Sequence, residues 1–219
     1  MADSRLNALS GRDRLIELLE DLKRSEISLL VDRRISEFKR LGRESSREIF
    51  KELCFCILCA NYSAERSIRI QREIDDGFLT LPPSQLIRRL REMGHRFPRS
   101  RASYIIAARR YSDSIKDVIS SLNDPREIRE WLIRNIQGIG PKEASHFLRN
   151  IGYSDLAIID FHILDLLDRY GIVEKPKTMT KSRYLRIEDE LRRLSRDVGL
   201  SLAELDLYLW YIETGKILK

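Results

Sequence analysis

The chain is poor in the residues that would commit it to several common classes of protein. Its only three cysteines among 219 residues all lie within positions 54–59. An odd number crowded into one stretch is no disulfide framework, and it points to a reducing, intracellular setting. No long uncharged apolar run occurs, so no membrane-spanning helix and no membrane partner are expected. Charged residues recur from Arg5 to Arg24, which leaves no room for a secretory signal segment. Alternation of apolar and polar residues is also missing, and Leu156, Ala157, Ile158 and Ile159 are the nearest approach to a strand. The three histidines show no metal-ligand spacing. Cys54 and Cys56 face different sides of a helix, with no histidine nearby in sequence. Buried apolar thiols, not a metal site, are the expectation for Cys54, Cys56 and Cys59. Five asparagines and three glutamines in a chain that is 34% charged resemble the composition of proteins that work hot.

What is present is helical periodicity. The chain is 42% hydrophobic, enough to bury a core in one domain or two small lobes. Leu15, Ile16, Leu19 and Leu22 begin an apolar stripe among charges. Ser45 with Glu48, and Ser201 with Glu204, carry the capping-box spacing. Pro83 opens a short helix that stops near Gly94, and residues 101–119 are predicted as one further helix. Asp124 and Pro125 supply an N-cap and a first-turn proline. Later helices are expected near Phe161, near Ser182 and from Ser201, with Gly215 as the final stop. The fold class is therefore all-α. A net charge of +6 fits a polyanionic partner, although mixed charge at this density also describes a solvated surface.

The informative segment runs from Trp131 to Arg149. A helix ends, Gly138-Ile139-Gly140 makes a tight turn, and Pro141 opens a second helix. Two glycines about one apolar residue allow a left-handed, closely approaching backbone, with Ile139 anchored in the core. The amides of Gly138 and Gly140, at a helix N-terminus, are placed to cradle a phosphate without reading base sequence. A plain helical hairpin is the duller reading. Lys142 argues against it. In the first turn its ammonium faces the wrong end of the helix dipole, and that field, with desolvation, favours the free amine. A free amine can attack the anomeric carbon of a sugar and form a Schiff base. Asp160, eighteen residues on, ends an apolar run just before the next helix. It reads as an N-cap and also as a carboxylate able to stabilise cationic sugar character.

Gly138-Ile139-Gly140-Pro141-Lys142 with Asp160 resembles the helix-hairpin-helix DNA glycosylase/AP lyase superfamily. The resemblance spans most of the chain. It is closest to the type-2 8-oxoguanine DNA glycosylases of archaea and thermophilic bacteria. Residues 59–65, His95-Arg96-Phe97 and the tail from Leu205 to Lys219 carry it further. It implies two helical lobes with the hairpin at the DNA-binding cleft, residues 50–152 forming one and residues 1–49 with 153–219 the other. It also implies excision of 8-oxoguanine by Lys142, strand nicking by β-elimination through the same Schiff base, and Asp160 assisting. The partner would be double-stranded DNA containing an oxidised base, flipped out of the stack. The chain would act as a monomer, without cofactor or metal, in the cytoplasm or nucleoid of a prokaryote. Asn61 falls at the opposite-base contact, and Phe97 at the apolar wedge. Trp210 and Lys219 fall where the lesion base is recognised. Each has a plainer reading, Asn61 as a helix end, Phe97 as core and Trp210 as a buried helix face. Ile159 replaces the superfamily's usual Gly or Pro, and Phe161 stands where a basic residue is frequent. No cysteine follows Cys59, so the four-cysteine iron–sulfur cluster of a sister branch has no ligands here. Arg88, Arg89, Arg91, Arg99 and Arg101 are candidates for lining the DNA groove, although a single solvated face explains Arg88 and Arg91 equally well. The same machinery acting on another oxidised base, or a hairpin module that only binds DNA, would share these features.

Overall fold

The computed structural model describes residues 10–219; residues 1–9, the start of the lobe expected over 1–49, lie outside the described residues. Among the described residues there are thirteen α-helices, one 3-10 turn and no strand. In chain order they are α1 Gly11–Lys23, α2 Ile27–Leu41, α3 Ser46–Cys59, α4 Ala64–Ile74, α5 Gly77–Thr80, α6 Pro83–Glu92 and α7 Pro98–Ala108. After the 3-10 turn Arg109–Tyr111 come α8 Ile115–Ser120, α9 Pro125–Asn135, α10 Pro141–Asn150, α11 Phe161–Arg169, α12 Lys181–Asp197 and α13 Leu202–Thr214.

The chain forms two compact units. One takes in the described residues up to Glu37 together with Ser154–Ile217, the other Phe38–Tyr153 and Leu218–Lys219. The boundary falls inside α2, whose last turn belongs to the second unit because Phe38 is buried there with the Arg149 guanidinium 4.9 Å from its ring centroid. In the second unit α3 is the central rod. Every residue from Ile49 to Cys59 is buried, and α4, α5, α7, α8 and α10 pack around it. In the first unit α13 plays this part, buried at Leu202, Ala203 and Leu205–Leu209 against α11 and α12.

The sequence signals set most helix ends. Asp124 accepts from the Arg126 N–H at 2.8 Å ahead of Pro125. Ser201 and Glu204 form a reciprocal capping box, and Gly215 stops α13 in the left-handed region at φ 69°. Two expectations fail. Ser45 accepts from the Glu48 N–H, but the Glu48 carboxylate turns to Lys51 at 2.7 Å, leaving only half of a capping box. The single helix expected over 101–119 is broken after Ala108. There the Arg109 guanidinium reaches the carbonyls of Phe78 and Leu81, both at 2.7 Å, and the chain turns through residues 109–114 before α8. A tertiary bond to the 77–81 turn outweighs local helix propensity.

Residues 156–159 are buried but form no strand. The Ala157 N–H donates to the buried Glu188 carboxylate at 3.1 Å, and its carbonyl accepts from the Tyr184 hydroxyl at 2.7 Å. Two side chains of α12 thus satisfy a buried irregular backbone, and hold the run that leads into Asp160.

Candidate active site

The hairpin between α9 and α10 is built as its glycines require, but the two do different work. Gly138 sits at φ +83°, and a Cβ there would lie 2.2 Å from Cδ2 of Tyr104. Both the left-handed backbone and the ring against it exclude a side chain. Ile139 is buried, which ties the turn to the core. Gly140 is the N-cap of α10 at φ −102°, ψ −172°, an extended conformation open to any residue.

Lys142 occupies the first turn of α10, and its Nζ lies 3.0 Å from Oε1 of Glu143. The other oxygen of Glu143 accepts from the Gly140 N–H at 3.2 Å. One carboxylate therefore caps the helix and holds the lysine. This corrects the picture of two outward amides, since the Gly140 N–H is already engaged by a side chain of its own helix. Glu143 escaped the sequence reading. Its signal was a glutamate three residues after the N-cap, the capping-box spacing with glycine in place of serine.

Asn61 and Phe97 lie on two loops that the same unit binds together. Asn61 is exposed and takes φ +56° just after α3, the left-handed conformation that asparagine tolerates. Phe97 is half-buried, neither core nor free. The Tyr62 hydroxyl donates to the Gly94 carbonyl at 2.9 Å, and the Arg101 guanidinium donates to the Ala60 carbonyl at 2.5 Å. His95 is buried between them. Its Nδ1 accepts from the Phe97 N–H at 3.0 Å, so Nε2 carries the proton towards the Leu58 carbonyl at 3.1 Å. Burial holds the His95 pKa below the usual histidine value, in keeping with a neutral ring. Arg101 is buried and structural, which removes it from the candidates for a DNA groove. Its guanidinium lies 5.5 Å from the Phe97 ring centroid, and that of Arg96 lies 5.0 Å from it.

Asp160 and Trp210 belong to the other unit. Asp160 caps α11, accepting from the Ile163 N–H at 2.9 Å. Beside it Phe161 is 62% exposed and overlies His162 at 3.9 Å, and His162 meets the Trp210 ring edge-on at 4.9 Å. The Trp210 indole N–H is buried with no acceptor among the described residues.

Lys219 is held in the second unit. Its ammonium donates to Glu52 at 2.8 Å and to the Gln71 side-chain oxygen, and lies 4.4 Å from the Phe55 ring centroid. His146 hydrogen-bonds the Lys219 main chain. Burial, then the charges of Arg149 and Lys142, press the His146 pKa well below the ordinary value. The three cysteines are buried in α3, where desolvation pushes every thiol pKa up, that of Cys59 to about 12.

Residues 31–200 match the family model described as 8-oxoguanine DNA glycosylase. The chain belongs to the 8-oxoguanine DNA glycosylase family. Among curated members, the 8-oxoguanine DNA glycosylase/AP lyase of Methanocaldococcus jannaschii is 56% identical over 94% of this chain and 99% of that protein. The protein of the same name from Korarchaeum cryptofilum is 52% identical over 95% and 100%. Among solved structures, the M. jannaschii 8-oxoguanine glycosylase/lyase in complex with a 15mer DNA containing 8-oxoguanine is 55% identical with a TM-score of 0.92, covering 94% of this chain and all of that one. The Thermotoga maritima 8-oxoguanine DNA glycosylase has a TM-score of 0.89 at 47% identity, covering 95% and 100%. In this family member the hairpin, Lys142 and the left-handed turn at Asn61 are all built, and Glu143 and Glu52 are the two acidic residues that hold its candidate lysines.

Proposed function

We propose that the chain is a DNA repair enzyme that excises 8-oxoguanine from double-stranded DNA and then nicks the strand, working inside the cell as a monomer without a cofactor or metal. The observation that carries this reading is the seat of Lys142. It opens the second rod of a glycine hairpin, in a chain whose family and close relatives bear the name of that activity.

The Lys142 amine, once free of its proton, attacks the anomeric carbon of the damaged nucleotide, and the bond from that carbon to the base breaks. The amine nitrogen then forms a Schiff base with the opened sugar. Loss of a proton from the neighbouring sugar carbon drives departure of the 3′ phosphate, which is the β-elimination that nicks the strand. Glu143 keeps the amine in place at the start of the sequence. Asp160 stabilises positive charge as it develops on the sugar, and its capping bond to Ile163 fixes the carboxylate for this. Gly138 and Gly140 let the backbone come close to the phosphates. Phe97 enters the stack as the wedge, Asn61 meets the base opposite the lesion, and Trp210 with Lys219 reads the extruded base.

The test is single-turnover cleavage of duplexes carrying one defined lesion, with borohydride added to trap the Schiff base. Excision of 8-oxoguanine with a trapped adduct is expected. Activity on thymine glycol but not on 8-oxoguanine would move the substrate to an oxidised pyrimidine. Binding with no adduct on any lesion would make the chain a DNA-binding module.

A further inference from the structure

Lys219 sits at the end of a buried polar chain that the chemistry of Lys142 does not use. Glu52 is 2% exposed, in the middle of α3. A carboxylate there is costly unless every lone pair is met. Asn150 donates to Oε1 at 2.6 Å, while Gln71 at 3.0 Å and Lys219 at 2.8 Å donate to Oε2. The Asn150 oxygen in turn accepts from Arg149 Nε at 3.1 Å and Nη2 at 2.9 Å. Gln71 also donates to the Lys51 carbonyl at 3.1 Å. Both its N–H bonds thus fix the orientation of the amide, and its oxygen is left aimed at Lys219. Three helices, α3, α4 and α10, therefore supply a preformed socket for one ammonium.

The same residue is gripped a second time. His146, on α10 one turn after Lys142, bonds its main chain. The His146 ring meets Phe55 edge-on at 5.5 Å, and Phe55 also carries the Lys219 ammonium on its face. With its side chain committed to the socket and its main chain to His146, Lys219 has little freedom left.

We infer that Glu52 and Gln71 are positioning residues for lesion discrimination: by seating the Lys219 side chain they hold Lys219 where the extruded base is read. The inference rests on the proposed function. It differs from a purely structural role because Lys219 reads the base but takes no part in breaking the strand. A loosened socket therefore impairs excision of 8-oxoguanine and leaves incision of a baseless site intact.

The experiment compares the unaltered chain with Glu52→Gln and Gln71→Met on two duplexes, one with 8-oxoguanine and one with an abasic site. Each variant is expected to lose 8-oxoguanine excision by about 100-fold, the scale of roughly 1 Å of misplacement in a group that must meet the substrate. For Glu52→Gln and Gln71→Met, abasic incision should change by less than about threefold, a difference below roughly 1 kcal/mol. Glu52→Gln combined with Gln71→Met should lose less than the product of the two single losses, since both loosen the same socket. Gln71 is only half-buried, so Gln71→Met decides the matter if Glu52→Gln does not fold. Equal loss on both duplexes, or none on either, overturns the inference while the proposed function stands. If the unaltered chain does not excise 8-oxoguanine, both fall.

Discussion

The two hairpin glycines should respond very differently to a single methyl group. Gly138→Ala places a side chain at φ +83°, which costs about 1–3 kcal/mol for a non-glycine residue. The new Cβ also lies 2.2 Å and 2.6 Å from two carbons of the Tyr104 ring, and overpacking of that kind adds about 1–3 kcal/mol. The total, roughly 2–6 kcal/mol, corresponds to a melting temperature lower by about 5–20 °C for a chain of this size. Gly140→Ala meets only the far end of Glu143 at 3.3 Å, on a backbone that alanine accepts. It should therefore change stability by less than about 0.5 kcal/mol, helped by a stiffer unfolded chain. Calorimetric melting of both variants, and of Gly138→Ala in a Tyr104→Ala background, separates the contributions. Removing the ring should recover its share and leave the backbone strain, about 1–3 kcal/mol. If Gly140→Ala destabilises as much as Gly138→Ala, or if loss of the Tyr104 ring recovers nothing, the account of the turn is wrong.

Three further outcomes are expected. Lys142→Gln should give no borohydride-trapped adduct while still binding lesion duplex in a filter or gel assay; an adduct from this variant would place the nucleophile elsewhere. Asp160→Asn should keep the α11 cap and its stability yet slow excision by orders of magnitude, whereas Asp160→Ala should also lose about 1 kcal/mol of stability; unchanged turnover in either would leave Asp160 a cap alone. The folded-state pKa of His146 lies well below that of the unfolded chain, because burial disfavours its charged form. Its contribution to stability is therefore whole above about pH 6.5 and is lost as pH falls below that value. Melting curves between pH 8 and pH 5 should fall more steeply for the unaltered chain than for His146→Gln, and parallel slopes would refute the assignment.

Much of the architecture could be read in one dimension because it is set by neighbours in the chain. Proline at the first helical turn, serine or aspartate just before it, a glycine at the stop and apolar residues every three or four positions act over one or two turns. They marked α9, α10, α11 and α13 and the hairpin between α9 and α10, and they placed Lys142 at a helix start. Two of the failures had distant partners. Arg109 breaks its helix to reach the 77–81 turn, and Arg101 spends its charge on the Ala60 carbonyl instead of facing outward.

The amino-acid sequence by itself determined the helical class, the turn that only Gly138 can make and the pair of residue types suited to sugar chemistry, because each depends on local sterics and backbone geometry. Tertiary structure alone decided that Glu52, Gln71 and His146 converge on Lys219. Those contacts join residues as far as 167 positions apart, and a buried charge finds its partner only when the chain has folded around it.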